Sequence, residues 1–492
     1  MKKRFPSRLR RSMGSYGEQM QLPAHKTKLV CTIGPACESQ EMMERMILAG
    51  MNIARLNFSH GDFSGHDTTI GRLRAAEKET ERRITIMADL PGPKMRIGQL
   101  RQEPVFLKEG ASFVLRAGDE VGDENGVSTT FFGLSHVLKP GESLFLNDGI
   151  IRLDVETIAG GSVFCRVIAG GELRSRKGLN LPGIDLGVRA FTERDCACLK
   201  FALDHGVDAV SQSFVENAED IRAVRTAAAA LGFRPFVIAK IERSRALNSI
   251  EEILDAADGI MIARGDLGVE IPIDQMAIVQ KKLIRQANMR AKPVITATQM
   301  LESMISSPRP TRAESTDVAN AILDGTDCVM LSAESAVGSY PVEATSMLAS
   351  IASATEPHRV RVTPQDLFGG VDLKDRVGPA KLADLAIDTV LRYSSRTVLF
   401  VAAQTGETAK SIARVRPAAW IVAAASSEEV CRQLAFSYGV HAIHEPQAPS
   451  DWSRYARDWL QARELDAEVL VFTQEQPAHS DGRYAMEIVD LK

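Results

Sequence analysis

Residues 258–271 read DGIMIARGDLGVEI. The apolar run 259–263 has the length and branching of a buried strand, and it breaks into Arg264-Gly265-Asp266-Leu267-Gly268, where glycines free the backbone and a carboxylate stands at the strand's end. Just upstream, FVIAKIE at 236–242 forms a second apolar run that delivers Lys240 and Glu242 on one face, because side chains two apart in a strand point the same way. Two neighbouring strand ends thus carry two carboxylates and an ammonium. Carboxylate oxygens suit a hard divalent cation, and a lysine beside them can neutralise a phosphoryl group or an enolate.

Working outward, short apolar runs at 29–33, 52–57, 84–89, 209–213, 236–241, 259–263, 293–297 and 327–331 alternate with helix-period segments. Eight such units predict a (β/α)8 TIM barrel in which right-handed crossovers bring every strand's C-terminal end to one face. The third unit is interrupted: after Asp89-Leu90-Pro91-Gly92-Pro93 the pattern changes to period two, with runs at 113–115, 143–146, 151–155 and 163–167 between glycine-rich turns. Helical pattern resumes at Thr192. This predicts an inserted all-β, barrel-like lid hung over the catalytic face on a Pro-Gly-Pro hinge. After Pro357 the barrel pattern stops, and apolar runs at 398–401, 421–424 and 469–472 predict a C-terminal open α/β domain. The resulting division is a basic N-terminal arm at 1–24, a barrel at 25–92 and 189–357, a lid at 93–188 and a regulatory α/β domain at 358–492.

Composition excludes more than it assigns. A chain of 492 residues exceeds one ordinary core, and a net charge of −4 provides no field for nucleic acid. No apolar run is long enough to span a membrane. The seven scattered cysteines suit reduced core thiols in a cytoplasmic enzyme, with Cys196 and Cys198 read as a buried pair too close for a zinc motif. The segment 1–11 is basic without an apolar signal core, and is read as a flexible arm. Thr311 to Glu314 has capping-box spacing and predicts a helix start.

Placing polar residues at the predicted strand ends gathers one cluster: Arg55, Asn57, Ser59 and His60 from strand two, Asp89 from three, Ser213 from four, Lys240 and Glu242 from five, Gly265 and Asp266 from six, Thr298 and Gln299 from seven, Ser332 and Glu334 from eight. The types point to phosphoryl transfer. Arg55 offers a planar fork and Lys240 a point charge to phosphate oxygens, and Glu242 with Asp266 offers a magnesium site that leaves positions for substrate and water. If a short helix starts between strand six and the following segment, the N–H groups of Gly265 and Asp266 can face a substrate carboxylate. No Walker A loop or protein-kinase signature is present, so a nucleotide must be held another way.

The segments KLVCTIGPAC, NIARLNFSHG, KGLNLPG, AKIE, MIARGDLGVEI, TATQMLESMI, PRPTRAESTDVANAILDGTD and LSAES, from about Thr27 onward, resemble the blocks of pyruvate kinase in that family's order. The resemblance implies a three-domain, tetrameric enzyme that moves the phosphoryl group of phosphoenolpyruvate to ADP, giving pyruvate and ATP. It implies Arg55 and Lys240 on the transferring phosphoryl group, Lys240 also on the enolate, and Glu242 and Asp266 on magnesium, which manganese can replace. Gly265, Asp266 and Thr298 would place the substrate, with Thr298 supporting protonation of the enolate carbon through water. A second magnesium would accompany the nucleotide near Asn57, Phe58, Ser59, His60, Arg96 and Lys177.

One departure and one further likeness carry additional expectations. Potassium-requiring members resemble one another in having Thr after the Asp and Glu in the following GPE; here Leu90 and Lys94 stand in those places. A fixed ammonium beside Asn57, Ser59, Asp89 and Leu90 resembles the potassium-independent branch and predicts activity without potassium. In the C-terminal domain QTGETAK at 404–410 resembles the loop on which relatives bind a phosphosugar, predicting a sugar-phosphate effector on Thr405, Gly406 and Thr408, against which Glu407 sets a repelling charge. Two rival readings are a Schiff-base barrel aldolase using Lys240 and a non-catalytic effector-binding protein. The sequence leaves open whether Arg264 faces substrate or a partner subunit.

Overall fold

The computed structural model describes residues 22–359, 387–475 and 486–492. Most of the basic arm, and the stretch following the expected start of the third domain, lie outside the described residues. Eight strands, Lys28–Thr32, Met51–Asn57, Thr85–Leu90, Ala209–Gln212, Phe236–Ile241, Gly259–Ala263, Val294–Ala297 and Cys328–Leu331, close into a parallel barrel in sequential order. The strands lie within a residue or so of the eight apolar runs.

Period two explains why the barrel has an apolar body and a polar rim. Val30, Ile53, Met87, Ala209, Ile238 and Met261 point inward and form a dry interior. Two residues further along the same strands, on the same face, come Arg55, Asp89, Ser211 and Lys240. Register places Asn57 opposite Asp89 and Asp89 opposite Ser211, so these groups share one layer. The outward-facing set, including Leu29, Ala54, Ile86, Ala239 and Ile262, packs under the ring of helices. Helix Arg312–Asp324 starts at Thr311 with the expected capping box, closed by Glu314.

Between the third and fourth barrel strands stands the β insertion. It is a six-stranded sheet plus a two-stranded ribbon around its own core of Phe113, Leu144, Leu153, Val163 and others, the inserted all-β domain expected from the period-two runs. Its two linkers are paired to each other, Leu179 N–H donating to the Met95 carbonyl at 3.1 Å. Gly92 holds φ +63°, and a β-carbon there would meet the Phe214 ring at 3.0 Å, so only glycine fits this hinge. Its N–H donates at 2.9 Å to Asp195, the capping-box residue of helix Glu193–Asp204, which anchors the outgoing linker to the first helix after the insertion.

The C-terminal sheet runs in the order Val440–His444, Trp420–Ala425, Thr397–Ala403, Val469–Gln474, Met486–Asp490, with only the last strand antiparallel. It caps the barrel's N-terminal mouth: Phe436 enters the barrel interior and stacks on Phe236 with centroids 5.0 Å apart. All seven cysteines are free, and Cys196 is exposed rather than buried with Cys198, because it lies on the outer face of its helix.

Candidate active site

The rim layer is a network of charges. Asp89 accepts from Arg55 Nε at 3.0 Å and from Ser211 Oγ at 2.7 Å, and Lys240 Nζ lies 3.4 Å away. Burial alone would raise the Asp89 carboxyl, but Lys240 and Arg55 hold it well below the usual carboxylate range. Arg55 Nη1 also donates to Thr32 Oγ1 at 2.9 Å. Lys240 is buried, 2.7 Å from Glu242 Oε1, and donates to Ser213 Oγ at 2.7 Å. Burial by itself would lower the Lys240 ammonium, yet Asp89 and Glu242 outweigh it and leave the group above its ordinary value. It is a fixed cation.

Asp266 differs from these groups. It stands in the first turn of helix Arg264–Glu270 and takes no hydrogen bond or ion pair from the described residues. Its carboxyl is pushed up to about 6, by the protein atoms crowding it and then by the negative charge of Glu242. Glu242 uses Oε1 on Lys240 and Oε2 on the Phe214 N–H at 2.8 Å. A cation between the two carboxylates would relieve their repulsion, which fits a hard divalent metal. Among the described residues no group of three His, Cys, Asp or Glu could hold one by themselves, so substrate and water oxygens would have to complete its shell.

Strand seven ends in strain. Thr298 at φ +68° and Gln299 at φ +53° are successive left-handed residues, costly for a β-branched side chain. Three hydrogen bonds hold the turn. Thr298 Oγ1 accepts from the Gly265 N–H at 2.8 Å and donates to the Ala297 carbonyl at 2.7 Å, while its own carbonyl accepts from Arg264 Nη2 at 2.8 Å. The Gly265 N–H, expected to face a substrate carboxylate, is thereby engaged within the protein. Arg264 turns inward to Asp317 at 2.7 Å and braces the ends of strands six and seven. Glu334 is buried as well, accepting from the N–H groups of Leu301 and Ser332, and is a brace between loops.

At the lid side, burial first, and then the positive charges of Lys94, Arg96 and Arg55, lower the His60 ring below its ordinary value. Arg96 donates to the Arg176 carbonyl at 2.8 Å, and Lys177 is held by its carbonyl on the Ile97 N–H at 3.0 Å, so both basic residues stand where the linkers pair. Phe58 is the exception among the expected nucleotide residues. Its ring is buried and stacks on His66 at 4.2 Å, leaving only backbone for a ligand. Lys94 is solvent-accessible and makes no direct ion pair among the described residues, but its charge is felt by Asp89, Glu242 and Lys240 across the cleft. Asn57 Oδ1 accepts from the Ser59 N–H at 3.1 Å, and Leu90 is fully buried.

Sequence reasoning missed Asp148. It sits on a lid turn where Asn147, Asp148 and Gly149 all take positive φ, close enough to add to the negative field on Asp266. The NDG triplet signals a turn, but nothing local says the turn reaches across to the barrel. The loop at Thr405 corrects another expectation. The N–H groups of Gln404, Thr405, Gly406 and Glu407 and the Thr405 hydroxyl all donate to the carboxylate of Glu475, at 2.5 to 3.2 Å. Thr405, Gly406 and Thr408 therefore do not form an open phosphate cradle, because a carboxylate of the same chain fills it.

Comparison with known proteins agrees with this architecture. The family model described as "Pyruvate kinase, barrel domain" matches residues 24–345, and "Pyruvate kinase, alpha/beta domain" matches residues 381–486. A pyruvate kinase of Thermococcus litoralis is 46% identical over 424 residues, covering 86% of this chain and 89% of the relative. One from Geobacillus stearothermophilus is 42% identical over 430 residues, covering 86% and 72%. The crystal structure of a pyruvate kinase from Cryptosporidium parvum superposes with a TM-score of 0.86 at 32% identity, covering 95% of this chain and 96% of that one. With its eight-stranded barrel, inserted β domain and C-terminal α/β domain, the chain belongs to the pyruvate kinase family.

Proposed function

We propose that the rim cluster moves the phosphoryl group of phosphoenolpyruvate to ADP, giving pyruvate and ATP, with Lys240 as its central residue. The observation that carries the reading is a buried lysine held by Glu242, Ser213 and Asp89, whose ammonium those carboxylates keep above its ordinary value, beside a carboxylate on Asp266 that has no partner among the described residues. Phosphoryl transfer asks the protein for positioning and positive charge rather than covalent chemistry. Arg55 and Lys240 face the transferring group, and Lys240 offsets the enolate charge that grows as the phosphoryl leaves. Glu242 and Asp266 would hold magnesium or manganese, which would supply Lewis-acid charge neutralisation. Thr298, fixed by its three hydrogen bonds, keeps the helix carrying Gly265 and Asp266 against the substrate and orders the water that protonates the enolate carbon. Asn57, Ser59, His60, Arg96 and Lys177 receive the nucleotide phosphates as the 93–188 lid closes.

Lys94 replaces potassium in this reading. Its charge reaches Asp89 and Glu242, and Asp89 is already committed to Arg55 and Ser211, which leaves little for a monovalent ion to coordinate. The enzyme is a cytoplasmic homotetramer; exposed Ile273 and Ile278 on one barrel flank favour association, and no helix among the described residues is long and apolar enough to cross a membrane. The aldolase reading loses ground on Lys240, since a Schiff base needs a neutral amine and both carboxylates hold this one protonated.

The deciding experiment is a lactate dehydrogenase-coupled assay with phosphoenolpyruvate, ADP and magnesium in potassium-free buffer. Turnover is expected, and Asp266→Asn should lose at least about a hundredfold of it with the fold intact. Near-normal rates in that variant would remove the metal assignment.

A further inference from the structure

Glu242 and Asp266 repel each other, so something must hold them at a fixed separation before a cation arrives. The residues that do so lie behind them. Arg243 follows Glu242 directly and is one of the largest fully buried side chains in the protein. Glu270 ends helix Arg264–Glu270, one turn after Asp266. Arg243 Nη1 lies 3.0 Å from Glu270 Oε1, Nη2 donates to the Ile184 carbonyl at 2.7 Å, and Nε lies 3.3 Å from Glu216 Oε1. Glu270 Oε2 accepts from the N–H and Oγ of Ser244, at 3.2 and 3.0 Å, and from the Gly183 N–H at 3.4 Å. The two side chains are 2% and 1% exposed, so the pair is not a surface contact.

The contacts join three pieces of chain: the end of strand five with Lys240 and Glu242, the helix with Asp266, and the lid's return linker at 183–184. A buried ion pair is weak support for stability, since desolvating both charges costs about what their attraction returns, but it is strong support for register because either partner alone is severely penalised. Outer groups that orient a metal's ligands typically change its affinity when altered, even without touching it.

We propose that Arg243 and Glu270 are positioning residues that set the separation of the Glu242 and Asp266 carboxylates, and through it the affinity of the site for a divalent cation. The inference rests on the reading of those carboxylates as the metal pair. They act through the backbone of residues 242–244 and through the helix, without contact with substrate or the reacting atoms.

The test is a comparison of the full-length enzyme with Glu270→Gln, Glu270→Asp and Arg243→Lys. Manganese binding is followed without substrates by the loss of the free-ion EPR signal, and melting temperature is measured in parallel. Glu270→Gln and Arg243→Lys should bind manganese about ten times more weakly. In assays their half-saturating magnesium should rise by about the same factor while kcat at saturating metal changes by less than about threefold, with Glu270→Asp recovering part of the loss. Unchanged manganese affinity in folded Glu270→Gln and Arg243→Lys overturns the proposal, even where the melting temperature falls, since the pair is then only structural. Glu242→Gln and Asp266→Asn serve as controls. If they too bind manganese like the parent, the metal-pair reading itself is wrong, an outcome distinct from failure of the positioning role alone.

Discussion

Lys240 concentrates the site's chemistry in one atom. Its ammonium is within 3.4 Å of two carboxylates and a hydroxyl, all buried, so removing it leaves Asp89 and Glu242 short of a cation. Lys240→Met should lower turnover by at least about a thousandfold, and borohydride with a carbonyl substrate should trap nothing on the parent enzyme; trapping would revive the Schiff-base reading. Lys94 makes a separate claim. Lys94→Glu should give an enzyme whose turnover rises by about tenfold or more on adding potassium, or about 1.4 kcal/mol of barrier, where the parent does not respond. A parent that itself needs potassium removes the substitution argument. Lys240 was legible in the sequence because a polar residue near the end of an apolar strand is visible locally, and Lys94 because it stands where the resembling family carries a glutamate. Asp148, Ser211, Arg243 and Glu270 were not, since what each touches is set by segments 27 to 122 residues away or by the lid's approach, and no local pattern encodes that.

At the scale of elements, the eight barrel strands could be read because each is a short apolar run between helix-period segments, and burial on both faces makes such runs continuous. Helix Arg264–Glu270 was harder: two glycines disfavour helix, and tertiary packing of Leu267 with the bond from Gly265 to Thr298 overrides that preference. The small lid strands Val105–Leu107, Gly126–Thr129 and Gly171–Leu173 are too short for a period to show. The loop at 404–407 is the clearest reversal. Its likeness to a phosphosugar loop is real at the level of residue types, but Glu475, 68 residues beyond Glu407, takes five of its donors. A sugar phosphate would have to displace a carboxylate that these same bonds hold below its ordinary range despite its burial. Titration with sugar phosphates should therefore leave both the midpoint and the shape of the phosphoenolpyruvate saturation curve unchanged. A shift of about threefold or more in the midpoint would show that Glu475 yields to the effector.

For the whole molecule, the C-terminal domain is a structural part of the barrel as well as an appended module. Phe436 fills its lower mouth, Arg416 pairs with Asp327 while Tyr438 N–H donates to the same carboxylate at 2.9 Å, and Lys28 Nζ donates to the Val440 carbonyl at 2.7 Å. His441 follows that carbonyl on the sheet's edge strand, near the Trp459 ring, with Lys28 and Arg83 of the barrel and Arg463 of the C-terminal domain facing it. Burial first, and then those three positive charges, push its pKa down to about 3. The sign follows directly. Between about 3 and the ordinary value of 6.5 the unfolded chain binds a proton that the folded chain refuses, so stability from this group is complete above 6.5 and is lost as pH falls toward 3. The slope approaches about 1.4 kcal/mol per pH unit. Carboxylates elsewhere add acid sensitivity of their own, so the informative quantity is the difference between the parent and His441→Gln. The variant cannot acquire this charge, and its melting temperature should fall less than the parent's between pH 7 and 4.5, the two curves converging or crossing on the acid side. Parallel curves would mean that His441 is hydrated well enough to accept its proton in the folded state, and that the seam between barrel and C-terminal sheet tolerates a fourth positive charge.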